Sequence, residues 1–495
     1  MSVSDDTQLA ADGTFTEHVD KIGRKAGRGL AWSLLGNVGI KAGSFALGLV
    51  LARLLTPADF GVYAVALAVT GFAMHINDAG IIAACVQWRG KLEEMAPTGA
   101  VIALLSSLFV YAVLWFSAPA FATLSGAPEA TPVVRLLTLI IVVDGITAVR
   151  VAALLRRFEQ DRLTKANMIG WSVNAAVALP LAFSGAGAYS FAWGQLAGQA
   201  FTGVLLFTMA KVPIKLGFDR PIAKKLFRFG LPLAASLGIE AVLLNADYVI
   251  VGNLLGVAAV GYYLLAFNVS SWVPGLVGTA VRYVSVPSFS RLAERDSETL
   301  ALGVRRSVPL LVSTVLPVAV VMAILAPQLV DFLYGDKWAP AAIALRYLTV
   351  LMVVRMLTSL AFDILTGLGS TVYTVWLNAG WAIALVPALW MGAHLDGIRG
   401  AAIAHGVVAV FVALPLAVLA LRKAGVSLVA TLPALVRPMI GAAAAAAVIV
   451  LVASMVSGAF VQLLLAGGAG MIVYIIIVVP LDQFRQIKTL RAHFH

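Results

Sequence analysis

The chain has little charge and almost no cysteine. Of its 495 residues only 12% are Asp, Glu, Lys or Arg, against about 25% in soluble domains. The single Cys85 excludes an internal disulfide and a cysteine-rich zinc site. There is no P-loop and no His-rich metal spacing. The first 28 residues are polar and acidic, then basic, with no apolar core, so they are not expected to be a cleavable signal peptide. No connection is long enough to hold a soluble domain. No large loop carries the paired carboxylates that a sugar-transferring membrane enzyme needs; Asp331 and Asp336 are the nearest approach. Acidic residues are also few, 24 against 35 Lys and Arg, a net charge of +11.

What is present is apolar sequence, 61% of the chain, with mean hydropathy +0.95. Repeated runs of about 20 apolar residues make this an all-α polytopic membrane protein. About fourteen spans are expected, at 30–53, 60–85, 97–118, 132–155, 166–184, 187–210, 229–251, 259–283, 306–326, 341–366, 373–392, 398–421, 433–456 and 460–482.

The basic residues fall on one side of these spans. With the N-terminus inside, that side carries Lys21–Arg28, Arg89/Lys91, Arg156–Lys165, Lys211–Arg228, Arg291–Arg306, Arg422/Lys423/Arg437 and Arg485–Arg491. The other side carries only Arg53, Lys337 and Arg399. This asymmetry predicts that both termini are cytoplasmic. It also accounts for the positive charge without a nucleic-acid partner. The Lys21–Arg28 cluster suits anionic headgroups.

Two segments repeat. Arg135–Asp144 reads RLLTLIIVVD and Arg346–Arg355 reads RYLTVLMVVR; the shared frame ends on Asp in one copy and Arg in the other. Upstream, Leu54–Val69 (LLTPADFGVYAVALAV) echoes Leu254–Val269 (LLGVAAVGYYLLAFNV). Two matched pairs in the same order predict a duplicated bundle of about six spans per half, related by an axis along the membrane normal. The expected divisions are a tail at 1–28, a first lobe at 29–210 and a basic linker at 211–228. A second lobe at 229–422, two accessory spans at 423–483 and a tail at 484–495 follow.

Polar groups inside the spans are the candidate functional residues. Arg355 lies mid-span, where a cation costs roughly 2.5–3.5 kcal/mol on insertion scales; Ser359 and Asp363 share its broad helical face. Lys41 sits mid-span in a polar seam with Asn37 and Ser44. Asn268, Ser271 and Arg282 form a similar seam, with Pro274 as a kink. Arg150 and Arg282 lie in the cytoplasmic third and can also snorkel. Lys41, Arg150, Arg282 and Arg355 are therefore candidates for binding an anion. Asp78, Asp144, Glu240, Asp247 and Asp363 are candidates for gating or cation coupling. His75–Gly80 reads as a break or kink. Arg135 and Arg346 read as interfacial anchors. For the buried polar groups the competing role is a hydrogen bond or ion pair between packed helices.

Three stretches resemble the polysaccharide-transporter (Wzx/WzxC-type oligosaccharide flippase) family. They are ARLLTPADFGVYAVALAVTGF with INDAGIIAACVQ, FRFGLPLAASLGIEAVLLNADYVIVGNLLGVAAVGYY, and LYGDKWAPAAIALRYLTV. The likeness runs from about Gly29 to Arg422. It implies the fold of the multidrug/oligosaccharidyl-lipid/polysaccharide exporters, two six-helix lobes around a central cavity plus two C-terminal helices. It implies a flippase, not an enzyme, in a bacterial inner membrane, carrying a polyprenyl-diphosphate-linked glycan among membrane lipids by alternating access. A polysaccharide polymerase and glycosyltransferases are the implied partners. No cofactor is expected beyond coupling to H+ or Na+. A lipid II flippase, a cation-coupled multidrug exporter and a membrane-embedded glycosyltransferase or polymerase are the alternatives.

Overall fold

The computed structural model describes residues 36–87, 92–212, 215–272, 297–370 and 372–479, with Gly275 and Phe289. The side chains of 75–81, 83–84, 87, 229, 231–244 and 297 are outside the description. Among the described residues there are helices and no strands. An apolar run in hydrocarbon must satisfy its backbone internally, and the helix does so segment by segment.

In chain order the helices are α1 (Gly36–Leu54), α2 (Pro57–Gln87), α3 (Leu92–Leu124), α4 (Thr131–Thr138) and α5 (Ile140–Arg156). Then come α6 (Gln160–Phe183), α7 (Tyr189–Met209), α8 (Arg220–Leu255) and α9 (Val257–Trp272). The second half holds α10 (Ser297–Ile324), α11 (Ala326–Tyr334), α12 (Ala339–Gly367) and α13 (Val372–Val408). It ends with α14 (Leu414–Lys423), α15 (Leu432–Met455) and α16 (Ala459–Val478). Ten stretches of the described residues are long and apolar enough to cross a bilayer. One of them, Val372–Lys423, turns back at Asp396 and Gly397, whose backbone angles leave the helical region. The chain is a multi-pass membrane protein.

Local chemistry sets the boundaries. Thr56 caps α2 with Asp59: the Thr56 N–H donates to Asp59 Oδ2 (2.9 Å) and the Asp59 N–H to Thr56 Oγ1 (3.2 Å). Pro415 cannot donate to the preceding turn, and the backbone widens to a π-turn at Ala409–Ala413 just before it. Two expectations are corrected. The helix continues through His75–Gly80, with no break there. The expected single helix at 132–155 is instead interrupted at Leu139, where the Leu139 N–H bonds Leu136 O and Thr138 Oγ1 bonds back to Val134 O at 2.8 Å.

Two compact units emerge. Unit 1 is Met1–Leu47, Val69–Ala118 and Pro132–Gly238; unit 2 is Gly48–Ala68, Pro119–Thr131 and Ile239–His495. In unit 1, α6 and α7 form a close hairpin with Gly170 against Gly198 O and Thr202. In unit 2, α15 and α16 pack on each other and on α10 and α11, with Leu325, Ile449 and Ala466 buried between them.

Candidate functional site

Unit 2 contains a crossing built from the upstream repeat. Gly61 of α2 lies against the backbone carbonyl of Val257, and Gly261 of α9 lies against the backbone carbonyl of Pro57. These are matching positions of the two copies. A Cβ at either glycine would overlap the opposing carbonyl. The two copies therefore pack on each other reciprocally at the starts of α2 and α9.

A clamp lies over this crossing. Trp338 is fully buried and donates its Nε1–H to Ala52 O at 2.9 Å. Its ring meets Phe60 edge-on at 4.8 Å and Tyr262 at 5.9 Å, one residue from each of α2 and α9. Beside it, Lys337 Nζ donates to Arg53 O (2.9 Å) and Leu55 O (2.8 Å), the open carbonyls at the C-terminal end of α1. Arg53 returns the arrangement, donating to Leu333 O (3.1 Å) and Phe332 O (2.8 Å) near the end of α11. Each cation sits where unpaired carbonyls concentrate negative partial charge. In the sequence Arg53 and Lys337 counted only toward orientation; the LYGDKW motif was the signal for more.

Deeper in unit 2 lies a buried polar cluster. Asp247 of α8 is 1% exposed. Its Oδ1 accepts the Tyr248 N–H at 3.0 Å, and its Oδ2 has no hydrogen-bond partner among the described residues. Tyr263 of α9 shares a 3.1 Å hydrogen bond with His405 Nδ1 of α13. The Arg355 guanidinium of α12 lies 5.4 Å from the Phe267 ring centre and acts electrostatically on Asp247, Tyr248 and His405. Two predicted residues, Asp247 and Arg355, are thus brought together. Tyr248, Tyr263, Phe267 and His405 were missed. The expected span 398–421 holds Arg399 at its start and His405 within it, and His405 was the available signal.

The other predicted residues are dispersed. On α12, Ser359 is exposed and Asp363 buried. On α9, Asn268 is exposed and Ser271 half-buried. In unit 1, Lys41 is half-buried on α1, with no hydrogen bond or ion pair among the described residues, while Asn37 is half-buried and Ser44 exposed. Asp144 is buried on α5. Arg150 is also buried there, its guanidinium 3.4 Å from the Phe207 ring centre. Arg135 stacks on Trp115 at 4.7 Å and donates to Trp115 O, consistent with an anchor. Asp78 and Glu240 lie on α2 and α8 with side chains outside the description, and Arg282 and Pro274 lie outside the described residues. Among the described residues no group of His, Cys, Asp and Glu could hold a metal ion.

Residues 50–343 match the family model described as polysaccharide biosynthesis protein. The chain belongs to that family. The match takes in both halves of the glycine crossing and the whole clamp, and stops short of Arg355 and His405. Relatives of this chain include the succinoglycan biosynthesis transport protein ExoT of Rhizobium meliloti (strain 1021). It is 28% identical over 378 residues, 75% of this chain and 74% of that protein. The lipopolysaccharide biosynthesis protein WzxC of Escherichia coli (strain K12) is 21% identical over 392 residues, 75% of this chain and 76% of that one. Among solved structures, the lipid II flippase MurJ in an inward closed conformation superposes with a TM-score of 0.74 at 13% identity, over 93% of this chain and 99% of that one. An inward-facing multidrug resistance MATE family transporter of the MOP superfamily superposes with 0.62 at 18% identity, over 79% and 95%. The chain therefore has the fold shared by those two structures.

Proposed function

We propose that this protein flips a polyprenyl-diphosphate-linked oligosaccharide from the cytoplasmic to the outer leaflet of a bacterial inner membrane. Both termini lie in the cytoplasm, and the clamped end of α1, α2 and α9 faces outward. The observation that carries the reading is Arg355. A polysaccharide-family transporter with an arginine mid-span, beside a buried acid it does not need for packing, has a group suited to phosphate. Guanidinium and ammonium groups meet phosphate oxygens through charge-assisted hydrogen bonds. Arg355 is the principal phosphate ligand; Lys41, Arg150, stacked on Phe207, and Arg282 serve other stages of passage.

The cycle is alternating access. The clamp and glycine crossing hold the outer end shut, and release of the clamp opens it. Substrate drives the change to the extent that it binds the two states differently. Coupling to H+ or Na+ runs through Asp247 and Asp363, with Asp78, Asp144 and Glu240 as further carboxylates. A polymerase and glycosyltransferases act on the same glycan before and after.

The test is mass spectrometry of polyprenyl-diphosphate glycans in cells depleted of the protein and in a complemented control. One lipid-linked glycan accumulating on the cytoplasmic leaflet is the expected result. An unchanged pool, with no second flippase present, overturns the reading.

A further inference from the structure

The basic residues near the start of α6 and the start of α8 fall into two groups. The first is used within the protein. Arg156 donates to Cys85 O (3.4 Å), Arg157 to Ala210 O (2.6 Å) and Arg162 to Met209 O (2.9 Å). Arg162 also pairs with Glu159 and Lys165 with Asp161. These cations finish helix ends and local ion pairs.

The second group, on 211–228, is placed differently. Lys211, Lys215, Arg220, Lys224, Lys225 and Arg228 are all exposed. The stretch holds one acid, Asp219, and it is committed to structure. Its Oδ1 accepts the Ile222 N–H at 2.9 Å to cap α8, and its own N–H donates to Thr98 Oγ1 at 3.0 Å. Three large apolar side chains are exposed among the cations: Leu216 (68%), Phe218 (65%) and Phe227 (52%). The opposite side is fixed, with Ala223 and Leu226 buried against Cys85, Met95, Ala96, Val149 and Ala152. The result is a surface, cationic and apolar together, on a folded support.

Its height in the membrane follows from helix length. The 36 residues of α8 span about 54 Å at 1.5 Å per residue. The hydrocarbon core is about 30 Å thick. A helix of that length leaves the core at one end at least, and its cations lie in its first turns.

We propose that Lys211 and residues 215–228 form a binding surface for anionic phospholipid headgroups of the cytoplasmic leaflet. Lys211, Lys215, Arg220, Lys224 and Arg228 meet lipid phosphates, and Leu216, Phe218 and Phe227 enter the upper acyl region. An acidic protein would answer the charges but would leave the three apolar side chains unexplained. The proposal rests on the orientation given under Proposed function.

The experiment uses the full-length protein in detergent, titrated with fluorescent phosphatidylglycerol and, separately, phosphatidylcholine. Wild type prefers phosphatidylglycerol. Replacing Lys211, Lys215, Arg220, Lys224 and Arg228 by Gln weakens phosphatidylglycerol binding by at least about tenfold and leaves phosphatidylcholine binding as it was. Phe218→Ser, which keeps every charge, weakens both lipids. An Arg422→Gln/Lys423→Gln control retains the preference. A five-Gln protein that binds phosphatidylglycerol as wild type does, or a control that loses as much, overturns the proposal. So does a wild type without preference. Glycan accumulation on depletion is read separately: accumulation without lipid preference sinks only this proposal, and lipid preference without accumulation sinks only the flippase reading.

Discussion

Trp338→Ala should open the clamped end. The side chain is wholly buried, and its partners come from three other helices: Ala52 O on α1, Phe60 on α2 and Tyr262 on α9. In an outward-open state those contacts separate, while the contacts of Trp338 with its own helix remain. The part that distinguishes the states is one neutral hydrogen bond, about 1 kcal/mol net, and two aromatic edges, about 0.5 kcal/mol each at the low end. Together they bias the closed state by about 2 kcal/mol, a factor of about 30 in the open-to-closed ratio. Trp338→Phe keeps the edges and loses the donor, so it should shift the ratio by only about fivefold. The measurement is double electron–electron resonance between spin labels at Ala58 and Ala258, in the first turns of α2 and α9. Wild type should give mainly a short distance, the Phe variant a visible longer component and the Ala variant a dominant one. Total truncation of a buried aromatic costs about 3–5 kcal/mol, so folding is checked by thermal melting and gel filtration. A folded Ala or Phe variant with the wild-type distribution refutes the clamp.

Gly61→Ala and Gly261→Ala should each impair export to a similar degree, because each new methyl meets the backbone carbonyl of the opposite copy; surface-polysaccharide yield at matched expression is the readout, and an active pair would dismiss the crossing. Arg355→Ala and Lys41→Ala should each reduce export about tenfold or more, with Arg355→Lys intermediate because the bidentate fork is lost; full activity in both Ala variants ends the cationic-path reading. In the connection before α12, the neighbouring Asp336 carboxyl holds the Asp331 carboxyl above the usual carboxylate range. The Asp331 proton favours the folded arrangement at pH below the ordinary carboxylate value, and that contribution disappears as pH rises through the raised one. A carbon-13 carboxyl titration should show Asp331 late, and Asp336→Asn should return it to the ordinary range.

The fold was legible where apolar length decides it. The helix expected at 341–366 is observed at Ala339–Gly367, because a bilayer allows few ways to house such a run. The repeat was legible as residue identity, and its glycines proved to touch. The clamp was not legible, because every hydrogen bond given by Arg53, Lys337 and the Trp338 indole goes to a main-chain carbonyl, which carries no sequence signature. Asp247 and Arg355 were found as isolated intramembrane charges. Their association with Tyr263 and His405 depends on how α8, α9, α12 and α13 cross, and no spacing within one helix encodes that. Leu139 shows the reverse case: an apolar residue in an apolar run gives no warning that the hydrogen-bond register shortens there.

The two repeats diverge in different ways, and the divergence bears on transport. At the crossing, Gly61 and Gly261 remain identical because backbone contact tolerates no side chain on either copy. In the other repeat the last position is Asp144 in one copy and Arg355 in the other, a change of sign. Packing does not demand it, since Val-Val precedes both. A strict duplicate would place the same charge at both points. An anion crossing the membrane instead needs cations that it can leave as well as reach, since binding must differ between states for the cycle to run. Under the proposed function Arg355 is such a cation, and Asp247 lies within its electrostatic reach in unit 2. Backbone contact accounts for the symmetry that was kept, and, under that function, the needs of an anionic substrate account for the symmetry that was lost.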